Sequence, residues 1–338
     1  MPEINIKYLA KQLNLAPSTV SRALNDSYEI SEKTKVRVLA LAKELNYHPN
    51  PYARSLRDHK SYTIAVIIPE RINNFFAQVI DGIEKVTRQH GYHLLVYNTH
   101  EELDIERKIL SFLLNGRVDA IVMSVSSQTS KIDHLLQLYQ KKLPVIFFDR
   151  ICDEFPTTKF ITNDYQSGYD GTKHLIQKGC QRLVFLTLSK DLSISKERLR
   201  GFKVALKDYG MEFSPNQVIV CMQEEDENIK LIGDLLGSED RPDGILASVE
   251  KLAVAIYKAV RNTSLKIPQD LKLISFSNMK IADILDPPLS TISQPAMEIG
   301  IACADLLMKK LTKKDHPEFE DRIIMIPSKI TIRRSSGE

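Results

Sequence analysis

The stretch INIKYLAKQLNLAPSTVSRALND, residues 4–26, decides how the N-terminal region folds. Asn5 can cap a first helix, because its side chain can accept a hydrogen bond from a backbone amide of the first turn. Asn14 suits a left-handed turn, and Pro17 suits the first position of a second helix, where its missing N–H costs nothing. Two short helices joined by a tight turn predict a helix-turn-helix unit.

The second helix separates polar and apolar residues onto two faces. Residues three and four apart share a face, and one face carries Ser18, Ser21, Arg22 and Asn25. The other carries Val20 and Leu24, which we expect to pack on Leu9, Leu13 and Leu39. Arginine reads guanine in the major groove, and hydroxyls bind phosphates or base edges. The polar face therefore predicts a DNA-reading surface, with a merely capping and solubilising face as the alternative.

A third helix should complete an all-α head. Ser31 is its expected cap, and Val36, Leu39 and Leu45 form its expected apolar stripe. The composition of the segment NPYARSLRDHK, residues 50–60, then predicts a polar linker with some helix propensity. It is too short to form a stable isolated helix in water, so any order in it should depend on a partner.

Charge is concentrated in this head. Residues 1–60 carry 10 Lys and Arg against 6 Asp and Glu, whereas the rest of the chain is close to neutral. A basic head on a neutral body suggests an anionic partner, and nucleic acid is the commonest polyanion. A solvated basic face would explain the charge alone equally well.

The cysteines and the N-terminus bear on the compartment. Cys152, Cys180, Cys221 and Cys303 are widely spaced, which argues against a zinc site or a disulfide framework and fits a reducing cytosol. No secretory signal is visible, and no apolar run approaches the ~20 residues that cross a bilayer. We therefore expect a cytoplasmic protein.

From residue 61 onward the pattern is that of an α/β protein. Nine apolar runs recur: TIAVIIP, HLLVYN, DAIVMSV, PVIFFD, RLVFLTL, QVIVCM, GILAS, LKLISFS and RIIMIPS. Most are separated by amphipathic stretches of helix length, which is typical of parallel sheets with crossover helices. Nine runs favour two doubly wound subdomains, with ligands bound in the crevice at the carboxyl ends of the strands.

The head resembles that of the lactose/galactose-repressor (LacI/GalR) family. The resemblance rests on TVSR at residues 19–22 followed by LNYHPN at residues 45–50. It implies that Pro17, Ser18 and Arg22 face bases and that Thr19, Ser21 and Asn25 anchor on phosphate. Asn5 joins the DNA-contacting set, and so does the hinge helix of residues 50–57 through Asn50, Ala53 and Leu56. In that hinge, Ala53 and Leu56 would enter the minor groove as an apolar wedge.

Three residues of the head depart from the family pattern. Ala16 stands where the family usually has a serine cap, which should weaken the start of the second helix by ~1 kcal/mol. Pro17 can offer only apolar contact to a base, and Tyr8 replaces an acid of the first helix.

The rest of the chain is similar to the family's effector domain, which is related to periplasmic sugar-binding proteins. Asn73, Phe75 and Phe76 match an N-P-F-F loop, with Asn74 replacing the proline. The resemblance implies an effector site formed by Asn73, Phe75, Phe76, Asp149, Arg150, Asn163, Asp164, Arg198, Glu250, Ser277 and Gln294. Arg198 would clamp ligand oxygens, and the aromatic rings would stack on a sugar face.

Two departures affect the expected ligand. Val249-Glu250 stands where the family has Asn-Asp, and Ser277 ends a segment where the family has G-[FY]-D. In the family both lost groups ordinarily hold sugar hydroxyls, so we expect a ligand other than a simple neutral hexose. For each polar residue the alternative is a structural hydrogen bond in the crevice wall.

These observations combine into one expected organisation. The chain should have an all-α helix-turn-helix DNA-binding head at residues 1–49, a hinge at 50–60, and an α/β effector and dimerisation domain at 61–338. Of the two subdomains, one should comprise residues 61–161 and 293–320, and the other residues 162–292 and 321–333.

The expected function is a ligand-responsive repressor of carbohydrate-metabolism genes. It should bind a pseudo-palindromic double-stranded DNA operator as a homodimer and take a sugar-like effector, without metal or cofactor. A plain solute-binding protein should have an export signal and no head. An enzyme is disfavoured, because no P-loop, G-x-G-x-x-G or G-x-S-x-G motif is present, although fold alone does not exclude an activity.

Overall fold

The computed structural model describes residues 4–47, 60–129, 131–222, 224–312 and 319–337. The chain divides into two units at residue 61. In its described residues, 4–47 and 60–61, the first unit contains three helices: α1 (Ile6–Leu13), α2 (Pro17–Leu24) and α3 (Glu32–Glu44). Asn5 and Ser31 cap α1 and α3 as predicted, and Asn14 adopts the left-handed conformation with φ 54°.

The core of the first unit differs from prediction at the third helix. Val20 and Leu9 are fully buried in it as expected, together with Val38 of α3. The predicted stripe residues Val36 and Leu39 are instead 64% and 51% exposed. The helix is rotated relative to our expectation because Ala42 and Val38, four residues apart, form the packing face.

Lys35 shares the buried face of α3 with Val38 and Ala42. Its stem lies on the buried side of α3, and its ammonium reaches Asp26 at 2.7 Å and Glu32 at 2.8 Å. These hydrogen bonds, that to Asp26 first, raise the pKa of Lys35. A long cationic side chain can cover apolar surface while its charged end stays paired. A prediction based on apolar residues alone therefore places the buried face of α3 incorrectly.

The second unit contains two six-stranded sheets, as the α/β prediction requires. The first subdomain contains the strands β1 (Thr63–Ile68), β2 (His93–Asn98), β3 (Ala120–Met123), β4 (Val145–Phe148), β5 (Thr158–Ile161) and β11 (Arg322–Met325). Its helices are α4 (Asn74–Gln89), α5 (Leu103–Leu113), α6 (Asp133–Gln140) and α11 (Ala296–Thr312). The sheet order is β11-β5-β4-β3-β1-β2, with every pair parallel.

The second subdomain is built in the same way. Its strands are β6 (Leu183–Thr187), β7 (Val218–Val220), β8 (Gly244–Ala247), β9 (Lys272–Phe276), β10 (Ser290–Ser293) and β12 (Lys329–Thr331). Its helices are α7 (Asp164–Gln177), α8 (Ser193–Asp208), α9 (Glu225–Gly237) and α10 (Glu250–Arg261). The order is β12-β10-β9-β8-β6-β7, and only the β10–β12 pair is antiparallel.

The chain crosses between the subdomains three times, after β5, after β10 and after β11. The last crossing corrects our expected boundary, which placed residues 321–333 wholly in the second subdomain. Strand β11 pairs with β5 of the first sheet, and only β12 belongs to the second. Neighbouring apolar strands so close together look like one element in sequence, and only the pairing separates them.

Three strands were missed because they are not apolar runs. β5 reads TKFI, β10 reads STIS and β12 reads KIT. In β5, Lys159 is 2% exposed, and its ammonium pairs with Asp321 at 2.6 Å. In β10, Ser290 is fully buried, and its hydroxyl donates to the carbonyl of Arg333 at 2.8 Å. A buried polar side chain is tolerated when it is paired, and that pairing is not visible in the sequence.

Close helix packing sets the geometry of each subdomain. A Cβ at Gly82 of α4 would collide with the backbone of α11, and one at Gly300 of α11 would collide with that of α4. In the second subdomain, Gly168 of α7 and Gly201 of α8 stand in the same relation. A Cβ at Gly168 would strike the carbonyl oxygen of Arg198, so this contact fixes where Arg198 leaves its helix.

Candidate DNA-reading surface and effector crevice

Helix α2 presents the predicted polar face to solvent. Pro17 occupies the start of the helix, and Ala16 provides no side-chain cap, as its residue type requires. Pro17, Ser18, Arg22 and Asn25 are exposed, and Thr19 and Ser21 are partly exposed. The opposite face places Val20 and Ala23 in the core. The surface available to a nucleic acid is therefore the one that the spacing of the residues predicts.

Arg22 is not free in this surface. Its Nη1 lies 3.0 Å from Oε2 of Glu29, with both side chains about half exposed. Asn25 also has an internal partner, because its Nδ2 donates to the carbonyl of Ser21 at 2.6 Å. Asn5 accepts a hydrogen bond from the amide of Tyr8 at 3.1 Å, so the structure places this predicted DNA contact in a capping role. The hinge positions Asn50, Ala53 and Leu56 lie outside the described residues.

In the second unit, a narrow crevice with a cavity volume of about 30 Å³ lies between the two subdomains. It is lined by Asn73, Phe75, Phe76, Asp149, Arg150, Ile194, Arg198, Ser248, Val249, Glu250, Phe276, Ser277, Asn278 and Gln294. Most of these residues follow the carboxyl ends of strands or begin the helices after them, which is where ligands bind in open parallel sheets. Nine of the eleven predicted effector residues line this crevice.

Arg198 is the most deeply buried charged group of the crevice, at 1% exposure. Its Nε donates to Asp164 and its Nη1 to the carbonyl of Ser248, both at 2.6 Å. The guanidinium also lies 3.9 Å from the centroid of the Phe276 ring. Three contacts fix the plane of the guanidinium, whose Nη2 has no hydrogen-bond partner among the described residues.

Asp164 lies behind Arg198 and does not line the crevice. Burial, reinforced by the neighbouring Asp149 carboxylate, raises the pKa of Asp164 above its usual value despite the Arg198 guanidinium. The Thr162 hydroxyl donates to the second oxygen of this carboxylate at 2.9 Å. Asp164 is therefore in a position to orient Arg198 rather than to touch a ligand.

Asn163, the other predicted effector residue that does not line the crevice, lies at the first crossing between subdomains. Its Oδ1 accepts the amide of Ser328, at the third crossing, at 2.7 Å, and the hydroxyl of Ser167 at 3.2 Å. This side chain joins two of the three crossings. Asn163 thus connects the hinge segments, whereas Asp164 orients Arg198.

On the first subdomain, Arg150 has its own carboxylate. Its Nη1 lies 2.7 and 2.9 Å from the two oxygens of Glu101, which also accepts the Ser127 amide at 2.7 Å. Burial opposes ionisation of Glu101, but the Arg150 guanidinium and the Ser127 amide outweigh it and hold the pKa of Glu101 below its usual value. The Nε of Arg150 has no hydrogen-bond partner among the described residues.

Asp149 has a backbone conformation that is uncommon for its residue type. It follows β4 with φ 60° and is 5% exposed. One carboxylate oxygen, Oδ1, accepts Nε2 of Gln294 at 3.0 Å. The other, Oδ2, is 3.9 Å from Nε of Arg150, beyond hydrogen-bond distance. This conformation directs the carboxylate toward Gln294 at the second crossing.

Glu250 connects the two subdomains across the crevice. Its Oε1 accepts the backbone amide of Asn74 at 3.1 Å and the Asn74 side-chain amide at 2.9 Å. Its Oε2 accepts the Ser277 hydroxyl and the Asn278 amide, both at 3.2 Å. Both residues of this connection are departures from the family pattern. A proline at position 74 would lack both donors.

The aromatic residues are less available than the sequence suggested. Phe75 and Phe76 are 6% and 2% exposed, and both pack on Phe148. Asn73 caps α4, because its Oδ1 accepts a hydrogen bond from the backbone amide of Phe75 at 2.9 Å. These three residues line the crevice, but most of their surface serves the core.

Sequence reasoning did not include five of the lining residues in the predicted site: Ile194, Ser248, Val249, Phe276 and Asn278. Asn278 forms paired hydrogen bonds with the backbone of Gln294, donating to its carbonyl at 2.7 Å and accepting its amide at 3.0 Å. Ser248 and Asn278 closely follow the carboxyl ends of β8 and β9, so the strand-end rule could have found them. Ile194 has no such signal.

Two features are absent from the part of the chain that the structure describes. No helix there is long and apolar enough to cross a membrane. No cluster of three or more His, Cys, Asp or Glu side chains there has the arrangement of a metal site.

Each of the two units matches the model of a known protein family. The model of bacterial regulatory proteins of the lacI family matches residues 5–50. The model described as periplasmic binding proteins and sugar binding domain of the LacI family matches residues 61–333. Together the two matches span both units of the chain.

Individual proteins agree with these matches. The chain is 30% identical over 331 residues to the HTH-type transcriptional repressor PurR of Aliivibrio salmonicida, covering 98% of each chain. It is 27% identical to catabolite control protein A of Priestia megaterium, covering 98% of this chain and 99% of that one. A crystal structure of the lac repressor dimer bound to operator and the anti-inducer ONPF superposes with a TM-score of 0.85 at 20% identity, covering 98% and 99%. That likeness confirms the predicted fold class.

Proposed function

Because the chain belongs to the LacI family of bacterial regulatory proteins, we propose that it is a repressor controlled by a small effector bound in the crevice. It is a transcriptional regulator rather than an enzyme, as its sequence predicts. The proposal adds that the effector is a sugar or sugar derivative, that the target is a pseudo-palindromic operator upstream of carbohydrate-metabolism genes, and that the protein acts in the cytoplasm.

One observation carries the effector assignment. Arg198 is buried at the junction of both subdomains, is fixed by Asp164, Ser248 and Phe276, and keeps one donor without a partner. A buried donor without a partner costs about 1–3 kcal/mol. A ligand oxygen would remove that cost. Because an arginine positioned in this way can bind oxygen atoms with defined geometry, it favours ligand binding over a purely structural role.

DNA binding is assigned to the exposed face of α2. We propose that Pro17, Ser18 and Arg22 face bases and that Thr19, Ser21 and Asn25 contact phosphates. Asn50, Ala53 and Leu56 remain proposed hinge contacts in residues 50–60. One short helix makes few base contacts, so useful specificity requires two heads.

Exposed apolar residues on the edge strands support a dimer. Leu95 and Val96 of β2 are 40% and 45% exposed, and β2 is an edge of the first sheet. Val220 and Met222 are 40% and 53% exposed, at and just beyond β7, an edge of the second sheet. Exposed edges with apolar residues are prone to pair with another chain. We propose a second copy of this chain as the occupant.

The test measures operator binding with and without effector. The operator is first selected from random duplexes with the purified protein, and its affinity is then followed by fluorescence anisotropy. In a screen of sugars, sugar derivatives and nucleobases, a true effector should change that affinity by about 5–150-fold, the usual range of coupling free energies.

Arg198→Ala separates the two functions. This variant should lose the effector response and keep operator affinity within a few-fold of the parent protein, because α2 lies in the other unit. The matched control is Arg200→Ala on the same helix, whose side chain is more than half exposed. An Arg198→Ala protein that still responds at the same effector concentration would remove Arg198 from the site.

A further inference from the structure

We infer that Asn115 is a site of spontaneous covalent modification, at which its side-chain amide is lost after attack by the backbone nitrogen of Gly116. The products carry an aspartate or an isoaspartate at position 115. The inference is independent of the proposed function. It is carried by the sequence Asn-Gly at residues 115–116 and by the exposure and hydrogen bonding of the turn that contains it.

The pair lies in the turn between α5, which ends at Leu113, and β3, which begins at Ala120. Asn115 and Gly116 are both exposed. On either side of them Leu113 and Val118 are buried, at 0% and 3% exposure. The ends of the turn are therefore anchored in the core, while water reaches both reacting groups at its tip. Exposed tips of this kind are where a chain is most open to chemical attack.

The reaction needs only a nucleophile and water. The backbone nitrogen of Gly116 loses its proton and attacks Cγ of Asn115. A bond from this nitrogen to Cγ forms, the bond from Cγ to Nδ2 breaks, and Nδ2 leaves with the proton as ammonia. Water then opens the cyclic imide at one of its two carbonyls. Opening at Cγ gives aspartate, and opening at the main-chain carbonyl gives isoaspartate, in which the chain continues through Cγ.

Both reacting groups are available in the folded protein. No described residue accepts a hydrogen bond from the backbone N–H of Gly116, although backbone amides are normally paired. The side chain of Asn115 also has no hydrogen-bond partner among the described residues. Neither group therefore has to break an internal hydrogen bond before the attack.

Glycine removes the steric barrier to closure of the imide. A side chain on the attacking residue would crowd the approach of its nitrogen to Cγ, and glycine has no Cβ. Gly116 has φ 72°, and nothing beyond its chain neighbours lies within 4 Å of the position that a Cβ would occupy. Neighbouring elements therefore leave the turn free to adopt the geometry of attack.

Other asparagines of the described residues lack this combination. Asn262 is also exposed, but the backbone amide of Thr263 after it donates to the carbonyl of Val260 at 2.9 Å. The side chains of Asn5 and Asn163 are held through Oδ1, which accepts a backbone amide in each case. None of these residues precedes a glycine, and Asn-Gly occurs once in the sequence. The structure therefore favours one site.

A neighbouring cation favours both the attack and the product. The guanidinium carbon of Arg117 lies 3.7 Å from the centroid of the Phe112 ring. In the part of the chain that the structure describes, no carboxylate pairs with this guanidinium. A nearby positive charge stabilises a deprotonated nitrogen and a new carboxylate. The modification thus places a negative charge next to an arginine that has no acidic partner there.

The experiment follows the full-length protein during storage at physiological temperature in mildly alkaline buffer. Trypsin cleaves after Lys108 and Arg117, so the peptide of residues 109–117 contains Asn115 and no other asparagine or glutamine. Mass spectrometry measures the replacement of its amide by a carboxylate, and methylation by a protein isoaspartate methyltransferase measures isoaspartate. We expect both products, at a rate within a few-fold of that in guanidinium chloride, because the fold leaves both groups exposed.

Variants and an internal control connect the products to the turn. Asn115→Gln lengthens the side chain and should give no product over the same period. Gly116→Ala adds a Cβ in open space and should slow the reaction by about tenfold or more through crowding at the attacking nitrogen. Asn262, in the tryptic peptide of residues 262–266, is the exposed control and should stay unmodified.

Three results would overturn the inference. The first is a peptide of residues 109–117 that stays intact in the folded protein while it reacts in guanidinium chloride, because the fold would then protect the pair. The second is aspartate without isoaspartate, which would mean direct hydrolysis rather than attack by the nitrogen of Gly116. The third is equal reaction at Asn262.

Discussion

Removing the Glu250 carboxylate should loosen the contact between the subdomains at the mouth of the crevice. Two hydrogen bonds cross the crevice to Oε1 of Glu250, from the backbone and the side chain of Asn74, at 3.1 and 2.9 Å. Glu250 also begins α10 and lies against the first residue of α4. A carboxylate near two helix N-termini is favourably placed.

The magnitude follows from the number and exposure of these bonds. A hydrogen bond to a charged group contributes about 1.5–3 kcal/mol. Because both bonds are exposed to solvent, we take the lower value and halve it, which gives about 1.5 kcal/mol for the two. That free energy is about a tenfold change in the ratio of open to closed mouth.

Hydrogen exchange measures the change directly. The Asn74 amide donates to Glu250, so a peptide spanning residues 70–79 should lose about tenfold in protection in Glu250→Ala. Asn74→Ala removes only the side-chain donor and should lose less. The double variant should be no worse than Glu250→Ala, because the two changes remove one interaction. Glu239→Gln, a change at an exposed glutamate, is the control.

An unchanged exchange rate at residues 70–79 in Glu250→Ala would refute the reasoning. Strict additivity of the two single variants would refute it as well, because independent effects cannot come from a shared hydrogen bond. Either result would mean that the carboxylate is held by Ser277 and Asn278 alone.

Three further tests address separate parts of the molecule. Arg22→Ala should cost about 1–3 kcal/mol of operator affinity and relax the preference at one base position. Glu29→Gln should tighten operator binding by up to about fivefold at low salt, because it frees Arg22 from an exposed ion pair worth at most about 1 kcal/mol. Competitive selection on random duplexes measures both effects, and weaker binding by Glu29→Gln would show that Glu29 does not compete with DNA for Arg22. Leu95→Asp should shift sedimentation toward monomer, and Leu136→Asp, equally exposed on α6, should not; a dimer that persists in Leu95→Asp would exclude β2 from the interface. Because the folded-state pKa of Glu101 is depressed, its contribution to stability is present above the unfolded value of about 4.3 and is lost as the pH falls through the folded one. The free energy of unfolding of Glu101→Gln should therefore be lower than that of the parent protein at pH 7 and should fall less between pH 7 and acidic pH. Chemical unfolding of both proteins at several pH values measures this difference.

The DNA-reading surface is the part that local sequence determined most completely. Asn5, Asn14 and Pro17 act at helix ends through their own side chains and backbone preferences, and the spacing of Ser18 and Arg22 decides that they share a face. No distant contact is needed for any of this. The third helix is the exception, because a buried Lys35 with two carboxylate partners displaced the expected apolar stripe.

The crevice was predicted in part, because the strand-end rule and the matched motifs identify which residues come together. They do not identify what those residues bond to. Arg198 was expected to contact a ligand, but its pairing with Asp164 joins residues 34 positions apart, and it is this pairing that neutralises the cation. Asn163 was expected at the ligand and lies instead at the hinge, where it accepts the amide of Ser328.

The division into a helical head and an α/β body, the parallel strands and the exposed face of α2 could all be predicted from residue preference and periodicity over a few turns or strands. Three features could not: the sheet that receives β11, the contact of Glu250 with Asn74 across 176 positions, and the donors of the crevice that lack partners. Each of these depends on pairing, because a hydrogen bond needs two partners in contact. When the chain crosses three times between two sheets, the partner of a polar group is set by the packing of elements distant in sequence.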